Sequence, residues 1–146
     1  MQTITINKTD SMDFHGKEAY KTLRPNIEFA GEDVKVITVT SCMPNEGKSS
    51  VNMKLAISLA EAGKTVLFVD ADMRKSILTG RYKIKNAKKG LSHFLSGQCS
   101  VDEVVSECDK CRKVSYGCGW SGTAKPIRTF TEQTIYTLYC RNKKNL

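Results

Sequence analysis

One stretch of ten residues constrains this chain more than any other: SCMPNEGKSS, residues 41–50. Before it, VKVITVTS (34–41) alternates and is rich in β-branched residues, which predicts a strand, expected to be buried. After it, Lys48 to Ala62 carries Val51, Leu55 and Leu59 four apart, with Gly63 as the stop, which predicts a helix. TVLFVD (65–70) is then a continuous apolar run ending in Asp, the pattern of a parallel strand covered on both faces. Strand, loop, helix, strand is a βαβ unit. It commits the chain to an α/β fold, a parallel sheet with flanking helices.

A loop between a strand and a helix leaves backbone N–H groups pointing at whatever sits before the helix, and the helix dipole favours an anion there. Gly47 lets the backbone approach a phosphate closely. Lys48 is suited to reach the β- and γ-phosphates of ATP, and the Ser49 hydroxyl to ligate Mg²⁺. Met43, Pro44, Asn45, Glu46, Gly47, Lys48, Ser49 and Ser50 are therefore the candidate nucleotide-binding residues. The strict GxxxxGK[ST] pattern is not met, because Cys42 holds its first Gly position. Asp70 and Asp72 end the second strand, at the sheet edge where ligands of parallel sheets gather. With Lys48 they are the candidate catalytic residues, and with Ser49 the candidate Mg²⁺ ligands. The plainer alternative is that the two carboxylates cap the next turn.

The remaining sequence is less regular. Residues 1–13 read as a flexible polar lead-in. FHGKEAYKTLRPNIEFA (14–30) carries Ala19, Leu23 and Ile27 on one helical stripe, and Pro25 should kink or end that helix. GLSHFLSG and VDEVVSE read as two short helices. His15 and His93 have no partner motif and read as surface or helix-flank residues; Tyr20 and Tyr82 read as packing residues. No apolar run approaches the roughly 18 residues of a membrane span, and the N-terminus lacks the marks of a secretory signal, so a cytoplasmic location is expected.

EAYKTLRPNIEF, VKVITVTSCMPNEGKSSVNMKLAISLAEAGKTVLFVDADMRKS and GLSHFLSG together resemble the bacterial tyrosine kinases of capsule and exopolysaccharide synthesis. The resemblance runs from about residue 14 to residue 109. It implies a P-loop NTPase of the deviant-Walker, MinD/ParA-like type, with transfer of the ATP γ-phosphate to tyrosine. Lys48 and Ser49 would hold ATP and Mg²⁺, and Asp70 and Asp72 would serve the metal and the acceptor hydroxyl. Glu18, Lys21 and Arg24 stand at the positions of the family's ring-forming motif, so the resemblance implies a homo-oligomer. It also implies an activator, the cytoplasmic tail of a membrane chain-length-determinant protein, which would bring the kinase to the inner face of the membrane. A second Asp-bearing strand and a C-terminal tyrosine cluster, both part of the family pattern, have no counterpart here.

Charge and cysteine explain where the resemblance stops. The net charge of +8 is unevenly spread: residues 1–109 hold 15 basic and 14 acidic side chains, and residues 110–146 hold 8 and 1. Three of the six cysteines, Cys111, Cys118 and Cys140, also fall in this tail. Back-translated one base later, Gly122 to Phe130 reads VPPNPSEL, like the family's next segment. The second base of each visible codon from Thr123 to Thr129 is the first base of a hidden codon, and all seven are the bases that segment needs. An extra base beside Asp109 accounts for it. Residues 110–146 are thus expected to be an out-of-frame tail without native fold, on a kinase domain incomplete at its C-terminus. Weak or no kinase activity is expected of this form.

Three other readings remain. A MinD/ParA-type partitioning or site-selection ATPase would share the loop and the VDAD strand, but its usual Lys-Gly-Gly start is missing here. A non-catalytic ATP-binding fragment would bind without turnover. A zinc- or nucleic-acid-binding module would use the tail, but the spacing from Cys118 to Cys140 suits no zinc knuckle and the tail's charges form no motif. No nucleic-acid partner is expected.

Overall fold

The computed structural model describes residues 2–4, 12–31, 34–43, 45–72, 78–82, 89–108, 114–117 and 136–141. Its elements in chain order are β1 (Gln2–Ile4), α1 (Phe14–Phe29), β2 (Val36–Val39), α2 (Lys48–Glu61), β3 (Thr65–Asp70), α3 (Leu78–Arg81), α4 (Leu91–Leu95), α5 (Val101–Val104), β4 (Val105–Cys108), β5 (Val114–Gly117) and β6 (Tyr136–Arg141). The six strands form one sheet in the order β1-β4-β5-β3-β6-β2.

The βαβ unit is present. Both β2 and β3 pair antiparallel with β6, so they run parallel to each other one strand apart. The sheet as a whole is mixed: β1 with β4 and β3 with β5 are parallel, while β4 with β5 is antiparallel. Every antiparallel pair contains β5 or β6, both from the segment expected to lack a native fold. Val, Tyr, Thr and Leu dominate those two strands, residue types that suit a pleated surface, and β3 offers them two open edges.

The core forms where α2 crosses β3. Met53, Leu55, Ala56 and Leu59 of α2 are buried with Val66 and Phe68 of β3. Each large apolar side chain buried there contributes about 1.5–3 kcal/mol. The helix ends as predicted: Gly63 adopts φ +96°, and the Gly63 and Lys64 N–H groups donate to the Ala60 and Leu59 carbonyls. Those two bonds satisfy carbonyls the last turn would leave open.

Five local expectations change. β2 is a half-exposed edge strand, not a buried one, because it pairs on one side only. α1 does not end at Pro25 but continues to Phe29; proline forfeits one bond, to the Lys21 carbonyl, and the last turn survives without it. The N-terminal lead-in contains β1, paired with β4. VDEVVSE is half helix and half strand, since α5 gives way to β4 at Val105. His93 is also buried, and its Nδ1 accepts the Gly90 N–H at 3.3 Å.

Candidate functional site

Strand register brings the two halves of the site together. Val39, the last residue of β2, and Asp70, the last residue of β3, flank the same residue of β6, Tyr136. They lie in one row across the sheet, two strand spacings or about 10 Å apart. The loop of residues 41–47 leaves the sheet just after Val39, at the edge where Asp70 ends its strand.

The loop's backbone has the conformation that a close approach needs. Asn45 has φ +66° and Gly47 φ +87°, both left-handed. Gly47 is the N-cap of α2 and supplies no side-chain cap, and nothing lies within 4 Å of where its Cβ would be. The first turn of α2, Lys48 to Ser50, contains no acidic residue, so a positive helix end faces open space. This space, the backbone N–H groups and the Lys48 ammonium suit a polyphosphate.

The side chains of the loop are bonded to one another. Lys48 Nζ donates to Ser41 Oγ at 2.6 Å and to the Met43 carbonyl at 2.8 Å. The Met43 carbonyl also lies 3.2 Å from Ser41 Oγ and shares that hydroxyl's single hydrogen with the Glu46 carboxylate. The Met43 N–H donates to Glu46 Oε2 at 3.2 Å. The Ser41 hydroxyl, then the Met43 N–H and the Lys48 charge, hold the Glu46 carboxyl below the usual carboxylate range. Ser49 is buried in the first turn and Ser50 is half-buried beside it. Pro44 lies outside the described residues.

Asp70 is fully buried, and its Oδ1 accepts the Asp72 N–H at 3.0 Å. The turn-capping role is thus real for Asp70. It does not exclude metal binding, because a carboxylate has about four lone-pair sites. Asp72 is half-buried in the turn that follows.

The predicted oligomer residues form a separate group on α1. Lys21 Nζ pairs with Glu18 Oε1 at 2.7 Å on the exposed face, and Arg24 is half-buried. No residue of α1 is buried; Tyr20 Oη donates to the Val51 carbonyl of α2 at 3.4 Å, and Glu28 pairs with Lys64 at 2.9 Å.

A phosphate loop between strand and helix, with a carboxylate in register on the next parallel strand, is a nucleotide-site architecture. The sequence model of one family, described as AAA domain, matches residues 34–115, more than half of the chain. The chain belongs to the AAA domain family. Among curated proteins, the chain is similar to bacterial tyrosine-protein kinases. The tyrosine-protein kinase CpsD of Streptococcus agalactiae is 38% identical over 120 residues, 82% of this chain and 51% of that one. The tyrosine-protein kinase YwqD of Bacillus subtilis strain 168 is 37% identical over 107 residues, 72% of this chain and 44% of that one. The chain spans about half the length of these curated relatives. Among solved structures, the chimerical protein CapA2B2 superposes with a TM-score of 0.59 at 23% identity, over 82% of this chain and 55% of that one. That likeness concerns the fold.

The AAA domain thus places the predicted residues of the loop and β3 at one sheet edge and leaves Glu18, Lys21 and Arg24 on a helix apart. Sequence reasoning missed Ser41 as a partner of Lys48. Its signal was weak: a serine seven residues before the lysine, meaningful only once the loop doubles back.

Proposed function

We propose that residues 14–109 are the N-terminal part of an ATP-dependent, autophosphorylating protein-tyrosine kinase that regulates capsule or exopolysaccharide synthesis. One observation carries the reading: the Lys48–Ser49 loop and Asp70 stand at the same carboxyl edge, with Val39 and Asp70 in one row. The relatives named as tyrosine-protein kinases support the reaction class.

In this reading the loop residues 43–50 bind the polyphosphate through N–H groups. Lys48 places its charge on the β- and γ-phosphates. The Ser49 hydroxyl and the carboxylates of Asp70 and Asp72 would hold Mg²⁺, which when bound neutralises the charge developing on the transferred phosphoryl group. Asp72 is the less buried of the two carboxylates and would accept the proton of the tyrosine hydroxyl.

The proposed partners are protein tyrosines, further copies of the chain meeting through Glu18, Lys21 and Arg24, and the cytoplasmic tail of a membrane chain-length-determinant protein as activator. The proposed location is the cytoplasm, at the membrane through that activator. No described helix is long and apolar enough to cross a membrane.

Residues 110–146 are, in the same proposal, the product of a shifted frame. The charge break at residue 110 supports this. The central slot of the sheet, between β2 and β3, is then held by an antiparallel strand of foreign origin. Phosphotyrosine formed from labelled ATP tests the whole reading. We expect little or none from the 146-residue chain, and robust, Lys48-dependent labelling once a single base is removed beside the Asp109 codon. Robust labelling by the present chain contradicts the proposed loss of activity; none after frame repair and addition of the activator tail contradicts the kinase assignment.

A further inference from the structure

Lys48 does not reach outward alone. Its ammonium has three N–H donors, of which one goes to Ser41 Oγ at 2.6 Å and one to the Met43 carbonyl at 2.8 Å. Ser41 Oγ and the same Met43 carbonyl are 3.2 Å apart, which closes the triangle. Ser41 follows β2 by two residues, so the sheet anchors the triangle, and Lys48 begins α2, so the helix anchors it again. A lysine stem with four carbons is otherwise free to wander, and an ammonium is a point charge whose value depends on where it sits. We propose that Ser41 is a positioning residue of the phosphate site, holding the Lys48 ammonium over the loop with one N–H left for a phosphate oxygen.

The inference rests on reading the loop as a nucleotide site and adds the residue that pre-orders its lysine. The Ser41 side chain is short, so its oxygen accepts from Lys48 only while residues 41–48 keep this doubled-back path. Threonine offers the same oxygen on the same carbon; alanine removes it without changing charge. Ser41 is half-buried and outside the core of α2 and β3, so both replacements leave the packing of the domain intact.

Nucleotide affinity of the 146-residue chain separates the outcomes. Lys48 acts on β- and γ-phosphates, so Ser41→Ala should weaken binding of MgATP and MgADP about tenfold, the value of one charge-assisted hydrogen bond. Binding of AMP should stay the same, and Ser41→Thr should restore MgATP affinity to within about twofold, with both variants folded. Unchanged MgATP affinity in Ser41→Ala, an equal loss for AMP, or no rescue by threonine overturns the positioning role while the nucleotide site stands. Failure of the unaltered chain to bind any of the three nucleotides overturns the nucleotide reading itself, and this inference with it.

Discussion

Asp70 anchors a turn at the edge proposed to hold the nucleotide site. Its side chain is fully buried and anchors the turn by accepting the Asp72 N–H. Removing a buried acceptor leaves its donor without a partner, at a cost of about 1–3 kcal/mol. Asp70→Ala should therefore lower the urea midpoint clearly. Asp70→Asn keeps an oxygen for the turn and should cost less than about 1 kcal/mol while still abolishing the Mg²⁺ dependence of nucleotide binding. Glu46 gives a second residue-level expectation. Its folded-state pKa is lowered, chiefly by the Ser41 hydroxyl and then by the Met43 N–H. A group shifted down stabilises the loop above its unfolded value, about 4.3, and loses that contribution as pH falls through the lower folded value. The Met43 amide resonance should move only below the ordinary glutamate range, and Glu46→Gln should abolish that titration. Both carboxylates were visible in the sequence as candidates. Their hydrogen bonds were not, because an exposed loop's doubling back is decided by backbone φ values at Asn45 and Gly47, which composition does not encode.

At the scale of elements, periodicity served best where burial is real. α2 and β3 match their predicted ranges to within a residue, since each presents apolar side chains to the other. α1 was predicted from a stripe of Ala19, Leu23 and Ile27, yet no residue on it is buried, and Leu23, Phe14 and Phe29 are exposed. Its boundary at Pro25 failed for a related reason. A proline costs a helix interior about 3 kcal/mol, but near the C-terminus little helix remains to be lost, and the Asp13 carboxylate secures the other end by accepting the Gly16 N–H at 2.8 Å. Pro25→Ala restores the bond to the Lys21 carbonyl. It should raise the thermal midpoint, by no more than the equivalent of that 3 kcal/mol, and leave nucleotide affinity unchanged. A fall in the midpoint would show that the ring of Pro25 stabilises this helix instead. β2 was expected to be buried because its sequence is apolar enough for a central strand. Its edge position among the described strands depends on which strands pair beside it, which residues 34–41 alone do not determine.

For the whole molecule, the sheet and the frame argument meet at β6. A βαβ crossover between β2 and β3 leaves one central slot, and the tail fills it with the antiparallel strand Tyr136–Arg141. No periodicity in residues 110–146 announced that strand. Pairing there requires only β-favouring residues and two open edges, so it says little about ancestry. Codon logic says more, because the seven successive second bases from Thr123 to Thr129 are each the first base that a family segment needs in the next frame. The central claim is a kinase-type nucleotide site joined to a foreign tail. Determining the gene's nucleotide sequence from the Cys108 codon to beyond the Leu146 codon tests it most directly. The account predicts that the native reading frame, with one base fewer beside Asp109, runs through VPPNPSEL into an apolar strand ending in Asp. A second-frame sequence that breaks down within those codons, or meets an early stop, would contradict the account and make residues 110–146 a genuine part of the fold.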